Sequence, residues 1–571
     1  MNRKLTQVEL EKIVENLWND DDDDIDHVAD SSDCEEEEDH VSSASETDDI
    51  QEVNEGENLS NSNTVNTSKF TSKDGTEWSS QPPPTGRSRS CNIIKSKLHK
   101  VIIQPGKIID EPIDAFCLFM EDGIVSEIVL HTNNEANRAL KGVFWKPCDN
   151  IEIRAFFGLL LTAGHLSAND TSYDVLWSAL YGPPIFRGTM GLKRFKNLLR
   201  FIRFDNKETR EQRRKDNKLA PIREIWEKVN NNFKKHYLPG DNITVDEQLV
   251  PFRGRCPFRQ YIPSKPDKYG MKIWWACDSQ TYYPLNGIPY IGKVGNQVAK
   301  GLSSSVVEQL VEPFYNTNRN VTFDNYFTDY LLAQRLLKNG LTCVGTVKKN
   351  KRFVPHEFLA NKKRDEETSI FGFTPHASLV SYVPKKNKSV IILSTMHHTK
   401  GLNGDYKNKP EMIMYYNQTK CGVDTLDQMV HKYMSKRKTN RWPFAFFMNL
   451  LDVSGVAAYV IWTNLKPDWN KNKHEKRRLF LVSLSESLVI AHIRRRQSRG
   501  LQHSIQNCMN EFVEDQPTSS KKLKLENKES VRRRCYLCPK VKDRKQKQNC
   551  SECKQNICKE HSKLLCDNCC K

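Results

Sequence analysis

Ile243-Thr-Val-Asp246-Glu-Gln-Leu-Val250 is a run of β-branched and apolar residues with a carboxylate in its middle, and its reading decides the fold. Such residues favour a pleated backbone, so the run is expected to be a strand. Similar runs follow at Lys272–Cys277, Tyr282–Ile291, Asn320–Phe327 and Leu341–Val347, with helix-like stretches at Ser303–Phe314 and Thr328–Lys338 between the later ones. Strands first, then alternating helices and strands, imply a mixed α/β sheet over residues 242–350.

On the N-terminal side, residues 92–241 read as helical and rich in aromatics. Within Leu192–Phe204, the apolar Leu192, Phe195, Leu199 and Ile202 run beside the basic Lys193, Lys196, Arg200 and Arg203. On the C-terminal side, residues 351–410 carry Lys, Asn and Pro throughout and read as an irregular insertion. Helices resume near Cys421 and continue to about residue 513. Phe444 to Leu465 is long enough to span a bilayer, but Asn449, Asp452 and Ser454 would be costly in lipid, so it reads as a core helix.

The 571 residues carry 87 Lys plus Arg against 71 Asp plus Glu, a formal charge of +16. That length calls for several domains, and 37% hydrophobic residues exclude a wholly disordered chain. Residues 1–60 hold 22 acidic and 3 basic side chains, a net of −19, which leaves +35 for the remainder. A body this cationic attracts a polyanion, with nucleic acid as the expected partner. Residues 1–91 read as a disordered acidic tail after a short amphipathic segment carrying Leu10, Ile13, Val14 and Leu17. Ser32 and Ser45 in this tail each precede an acid by three residues, the pattern of an acid-directed kinase site. No signal peptide is visible, so a cytosolic or nuclear location is expected.

Four acids lie in or at the ends of apolar elements. Asp246 lies in the first strand, Asp324 ends another in Val-Thr-Phe-Asp-Asn, and Asp424 and Asp427 lie three apart in Gly422-Val-Asp-Thr-Leu-Asp-Gln-Met429, on one face of a helix. Carboxylates drawn together from two strands and a helix would repel, which favours a bound dication. An all-carboxylate set suits Mg²⁺ or Mn²⁺, and two such ions support phosphodiester chemistry. Isolated Asp residues near strand ends also commonly cap or solvate, so spacing alone leaves that alternative standing.

Several of these runs resemble the piggyBac family of DNA transposases. They are Thr244-Val-Asp-Glu-Gln-Leu, Phe252-Arg-Gly-Arg-Cys-Pro-Phe-Arg, Tyr261-Ile-Pro-Ser-Lys-Pro, Lys268-Tyr-Gly, Asp324-Asn, Val344-Gly-Thr-Val, Met414-Tyr-Tyr-Asn-Gln-Thr-Lys, Gly422-Val-Asp-Thr-Leu-Asp-Gln-Met and Arg437-Lys-Thr-Asn-Arg-Trp-Pro. The likeness extends from about residue 92 to the C-terminus. It implies a ribonuclease-H-like catalytic domain (242–350 and 411–433) split by an insertion (351–410), with a helical dimerisation and DNA-binding domain assembled from 92–241 and 434–513. Asp246, Asp324 and Asp424 fall at the family's three catalytic aspartates, and Asp427 at a fourth acidic position. The implied activity is cut-and-paste transposition by a homodimer: binding of terminal inverted repeats, excision through hairpin ends and integration at TTAA.

Cations near these acids are candidates for DNA contact: Arg253, Arg255 and Arg259, then Lys348, Lys351 and Arg352, then Lys436, Arg437, Lys438 and Arg441. Trp442 reads either as an aromatic that stacks on a base or as a core residue of the helix it opens.

Eight of the 17 cysteines fall between Cys535 and Cys570. Cys535-x2-Cys538, Cys550-x2-Cys553, Cys558-x2-His561 and Cys566-x2-Cys569 are four tight ligand pairs, enough for two tetrahedral Zn²⁺ ions. The preferred pairing is interleaved, a cross-brace with Cys535, Cys538, Cys558 and His561 on one ion and Cys550, Cys553, Cys566 and Cys569 on the other; sequential pairing stays open. Within 514–534, the basic linker that precedes this 535–571 module, Lys521–Lys524 and Arg532–Arg534 resemble nuclear import signals. Two rivals remain: a host-adopted DNA-binding descendant without mobility, and a chromatin or ubiquitin adaptor built on the zinc module.

Overall fold

The computed structural model describes residues 69–84, 99–140, 145–263, 265–292, 301–404, 407–497, 501–513, 533–542, 545–546 and 555–561. The amphipathic segment at 6–18, Ser32, Ser45 and Lys521–Arg532 lie outside them.

An eleven-stranded mixed sheet organises the protein. Its strands are β1 (Lys69–Thr71), β2 (Glu77–Ser79), β3 (Asn242–Pro251), β4 (Arg259–Tyr261), β5 (Tyr269–Asp278), β6 (Pro284–Pro289), β7 (Asn320–Phe323), β8 (Thr342–Thr346), β9 (Ser369–Phe373), β10 (Ser378–Lys385) and β11 (Lys388–Ser394). Their order is β1-β2-β9-β10-β11-β8-β7-β3-β5-β4, with β6 also pairing with β5. At its centre β3 runs antiparallel to β5 and parallel to β7, and β7 runs parallel to β8.

The helices that matter for the site are α1 (Asp122–Leu140), α2 (Asn150–His165), α3 (Leu192–Phe201), α4 (Arg223–His236), α5 (Leu302–Val311), α6 (Tyr330–Lys338), α7 (Glu411–Thr419), α8 (Gly422–Lys432), α9 (Trp442–Leu465) and α10 (Lys476–Gln497). α2 packs along α10, so chain segments from either side of the sheet-forming region build one helical body. The apolar face of α3 is buried through Phe195, Leu198 and Phe201. Part of the basic stripe in and just after this helix is consumed by ion pairs, Lys196 with Asp174 at 3.6 Å and Arg203 with Glu135 at 2.9 Å.

α9 is a core helix, buried along most of its length, with Pro443 in its first turn. The three polar residues that weigh against a lipid setting are each partnered. Asn449 donates to Gln248 (3.2 Å), Asp452 accepts from the Ser435 amide (3.0 Å), and Ser454 donates to the Leu450 carbonyl (2.8 Å).

Two sequence expectations need correction. Within 351–410, residues 369–394 form a regular antiparallel meander, β9-β10-β11, that extends the central sheet through β8. Residues 69–84 are not a disordered tail: Asp74-Gly75 turns β1 back on β2, with Gly75 at φ +86°, and Ser79 of β2 pairs with Phe373 of β9. Trp78 is fully buried there and donates to the Phe353 carbonyl at 3.0 Å. Trp78→Ala should cost about 3–5 kcal/mol of local stability and detach the hairpin, read as faster amide exchange in β9.

Candidate active site

Val245 pairs with Phe323 across the parallel β3–β7 ladder, and one residue further along each strand come Asp246 and Asp324. Neighbouring strands lie about 4.8 Å apart, so the two carboxylates leave the sheet side by side, where parallel pairing ends. Two buried threonines position the third acid. Thr244 Oγ1 donates to the Thr419 carbonyl at 2.6 Å, and Thr322 Oγ1 meets Thr419 Oγ1 at 2.8 Å. This latch fixes the end of α7 over β3 and β7, and α8 starts three residues later.

Gly422 completes the approach. A Cβ there would lie 2.4 Å from Thr244 Oγ1, so only glycine lets the α8 N-terminus press on β3 and bring Asp424 toward Asp246. Gly422→Ala should cost about 1–3 kcal/mol by overpacking and lower any activity of the acid cluster disproportionately. A melt alongside an activity assay checks this; full activity with an unchanged melting temperature would remove the positioning role.

The recess is electrostatically loaded. Burial, then Glu247, Asp324 and Asp424, push the Asp246 carboxyl well above the usual carboxylate range. Burial and Glu247 push Asp324 up to about 6, although its Oδ1 accepts from the Tyr326 amide (3.0 Å) and Lys348 lies near. Asp424 is half exposed at the mouth. Among the described residues no three acids bring their oxygens within 4.8 Å of one another. The fit to a divalent cation is therefore one of chemistry, a hard all-oxygen donor set whose mutual repulsion such an ion would relieve.

Sequence reasoning missed Lys265, which comes from the β4–β5 connection. Its ammonium donates to the Glu247 carbonyl at 3.1 Å and pairs with Asp424 Oδ1 at 3.5 Å. Burial works to lower its affinity for the proton, but Asp246, Asp424, Glu247 and Asp427 together more than offset this.

Asp427 is held differently from the other acids. Its Oδ1 accepts from Gln248 Nε2 (3.0 Å) and lies 3.3 Å from His431 Nδ1, while His431 Nε2 reaches Asp267 at 3.1 Å. The hydrogen bond to Asp427 leads the effects that raise the imidazole to about 9. Gln248 also accepts from Trp275 Nε1 at 3.0 Å and from Asn449, tying β3 to α8 and α9.

The basic candidates divide. Arg253, Arg255 and Arg259 are exposed beyond β3, with Arg259 donating to the Arg253 carbonyl (2.8 Å) and lying over Tyr269. Lys348 lies over Tyr326, Lys351 pairs with Asp329 at 3.3 Å, and Arg352 and Lys438 are exposed, while Lys436 is half-buried. One expectation of DNA contact, Arg437, is corrected, while Arg441 and Trp442 make contacts within the fold. Arg437 is buried, donates to the Ala168 and Thr171 carbonyls and stacks on Tyr173. Arg441 donates to the carbonyls of Leu199 (3.0 Å), Arg200 (2.6 Å) and Ile202 (2.6 Å), satisfying the C-terminal end of α3. Trp442 packs edge-on against Phe258 at 4.9 Å, within the core margin. Carbonyls at a helix end need donors, and Arg441 supplies them for α3.

At the other end of the chain, one ligand atom from each of Cys535, Cys538, Cys558 and His561 lies within 4.8 Å of the other three. The Cys538 and Cys558 sulfurs are 3.7 Å apart, and His561 Nδ1 is 3.3–3.6 Å from the three sulfurs. Tetrahedral bonds of about 2.3 Å to sulfur require similar separations. Cys550, Cys553, Cys566 and Cys569 lie outside the described residues.

The central sheet and the acids at its parallel edge define a ribonuclease-H-like transposase fold. The family described as Transposase IS4 matches residues 111–459. Two human proteins are similar: PiggyBac transposable element-derived protein 3, 26% identical over 65% of this chain and 67% of its own length, and PiggyBac transposable element-derived protein 2, 23% identical over 60% of each. A solved cryo-EM structure, of a piggyBac transposase synaptic complex with hairpin DNA, superposes with a TM-score of 0.70 and 36% identity, covering 81% of this chain and 98% of its own. The chain belongs to the piggyBac-type transposase family.

Proposed function

We propose that this protein is a nuclear cut-and-paste DNA transposase that binds the terminal inverted repeats of its element as a homodimer, releases the ends through hairpins and joins them at TTAA. The observation that carries the reading is that Asp324, at the end of β7, and Asp424, at the start of α8, both bear on the buried Asp246 carboxyl of β3. Asp246, Asp324 and Asp424 would hold Mg²⁺ or Mn²⁺, which when bound supplies activation of a water or 3′-hydroxyl and charge neutralisation at the phosphate. Asp427, gripped by Gln248 and His431, orients α8 from behind.

The exposed Arg253, Arg255 and Arg259, with Lys348 beside Asp324, offer cations to a phosphate backbone near the recess. Arg352 and Lys438 are further exposed cations. The domain division rests on the sheet and on the α2–α10 packing: catalytic segments 242–350 and 411–433, an insertion at 351–410, and helical segments 92–241 and 434–513. The 535–571 module takes two Zn²⁺ in interleaved pairing, in keeping with the Cys535, Cys538, Cys558 and His561 quartet, and reads end DNA with its basic flank. Hairpin ends, TTAA, dimerisation and nuclear import rest on the family likeness and the basic clusters.

A donor-plasmid excision assay with the element's own flanking ends tests the reading. Precise excision junctions support it. End binding without excision would favour the host-adopted rival.

A further inference from the structure

Lys265 seats a cation against Asp424 from inside the fold, and backbone hydrogen bonds fasten its connection to the sheet. Pro263 and Pro266 flank its loop, the Lys265 amide donates to the Ile262 carbonyl (3.2 Å), and the Ile262 amide to the Lys268 carbonyl (2.7 Å). Two residues on, Asp267 binds His431 of α8 at 3.1 Å. The loop is thus fastened to the same helix that carries Asp424, and its ammonium, only 17% exposed, lies 3.5 Å from that acid.

Resting on the reading that this recess takes a divalent ion, we propose that Lys265 is a resident counter-ion: it holds Asp424 in the metal-free protein, yields that carboxylate when an ion enters, and so sets the concentration at which the site loads. One Asp424 oxygen cannot serve both cations closely, and an ammonium beside a dication is repelled. Lys265 is therefore a positioning residue, acting on the acids rather than on the reacting atoms. Once displaced, it also becomes a free cation at the recess mouth.

The test uses the full-length, zinc-loaded protein and Mn²⁺, with free Mn²⁺ counted by electron paramagnetic resonance in the absence of DNA. The parent should show a site that Asp246→Asn abolishes. Lys265→Gln should bind Mn²⁺ tighter by on the order of tenfold, a usual size for coupling between competing occupants, and Lys265→Arg should stay near the parent. A parent without any Asp246-dependent Mn²⁺ site would defeat the functional reading itself; a site whose affinity Lys265→Gln leaves unchanged or weaker would defeat this proposal alone. A second measurement avoids substitution. Acetylation of Lys265 in the parent, followed by peptide mass spectrometry, should quicken when Mn²⁺ is added, and equal labelling with and without Mn²⁺ would overturn the displacement.

Discussion

Replacing Asp246, Asp324 or Asp424 with Asn should lower excision by at least about 10³-fold while leaving binding to end DNA within a few-fold of the parent. Asn keeps the shape of each side chain and removes the charge that a divalent ion needs. The fold should tolerate the change well. Asp246 and Asp324 already sit above the usual carboxylate range because burial and their acidic neighbours disfavour ionisation, so a neutral amide relieves repulsion in the metal-free state. An equal or higher melting temperature together with lost excision is the expected signature. Asp427→Asn should behave differently, since an amide oxygen still accepts from Gln248; a loss of only about 10- to 100-fold fits a residue acting through the helix. Parental excision by any of the first three variants would defeat the assignment.

The second large effect concerns the Cys535, Cys538, Cys558 and His561 quartet. So short a segment has little apolar surface to bury, and structural zinc contributes roughly 10–16 kcal/mol of folding free energy in comparable small modules. Cys558→Ala should therefore release zinc, unfold the module and weaken end-DNA binding by on the order of 100-fold, while the melting of the body stays put. Zinc analysis by mass spectrometry should find two ions in the parent. A variant that lost zinc yet kept full end binding would remove the module from DNA recognition.

Much of this site could be read from order along the chain. Asp246 in an apolar strand, Asp324 at the end of another and Asp424 at the start of a helix are each local patterns, and strands followed by alternating elements imply the sheet that joins them. The core helix at Trp442–Leu465 was legible because Asn449, Asp452 and Ser454 disqualify it from lipid. What stayed hidden depends on partners distant in sequence. Arg437, Arg441 and Trp442 look like a nucleic-acid surface as a run, yet two of them satisfy carbonyls contributed by residues 168–202 and the third fills a gap beside Phe258. Lys265 is an ordinary loop lysine until the fold sets it beside Asp424. The insertion held readable strands in Ser378-Leu-Val-Ser-Tyr-Val and Val390-Ile-Ile-Leu, but its polar turns, with Asn387 at φ +62°, masked them. Phe70, Asp74-Gly75 and Trp78 likewise marked a hairpin that the acidic composition before it obscured.

That hairpin also bears on how the protein can be shortened. β2 covers part of the outer rim of β9, which would otherwise present unpaired amides and carbonyls to passing chains. A version trimmed from the front for biophysical work should keep Lys69 onward. Trimming past Ser79 would leave an adhesive border and lead to self-association, although every residue around the acids would still be present.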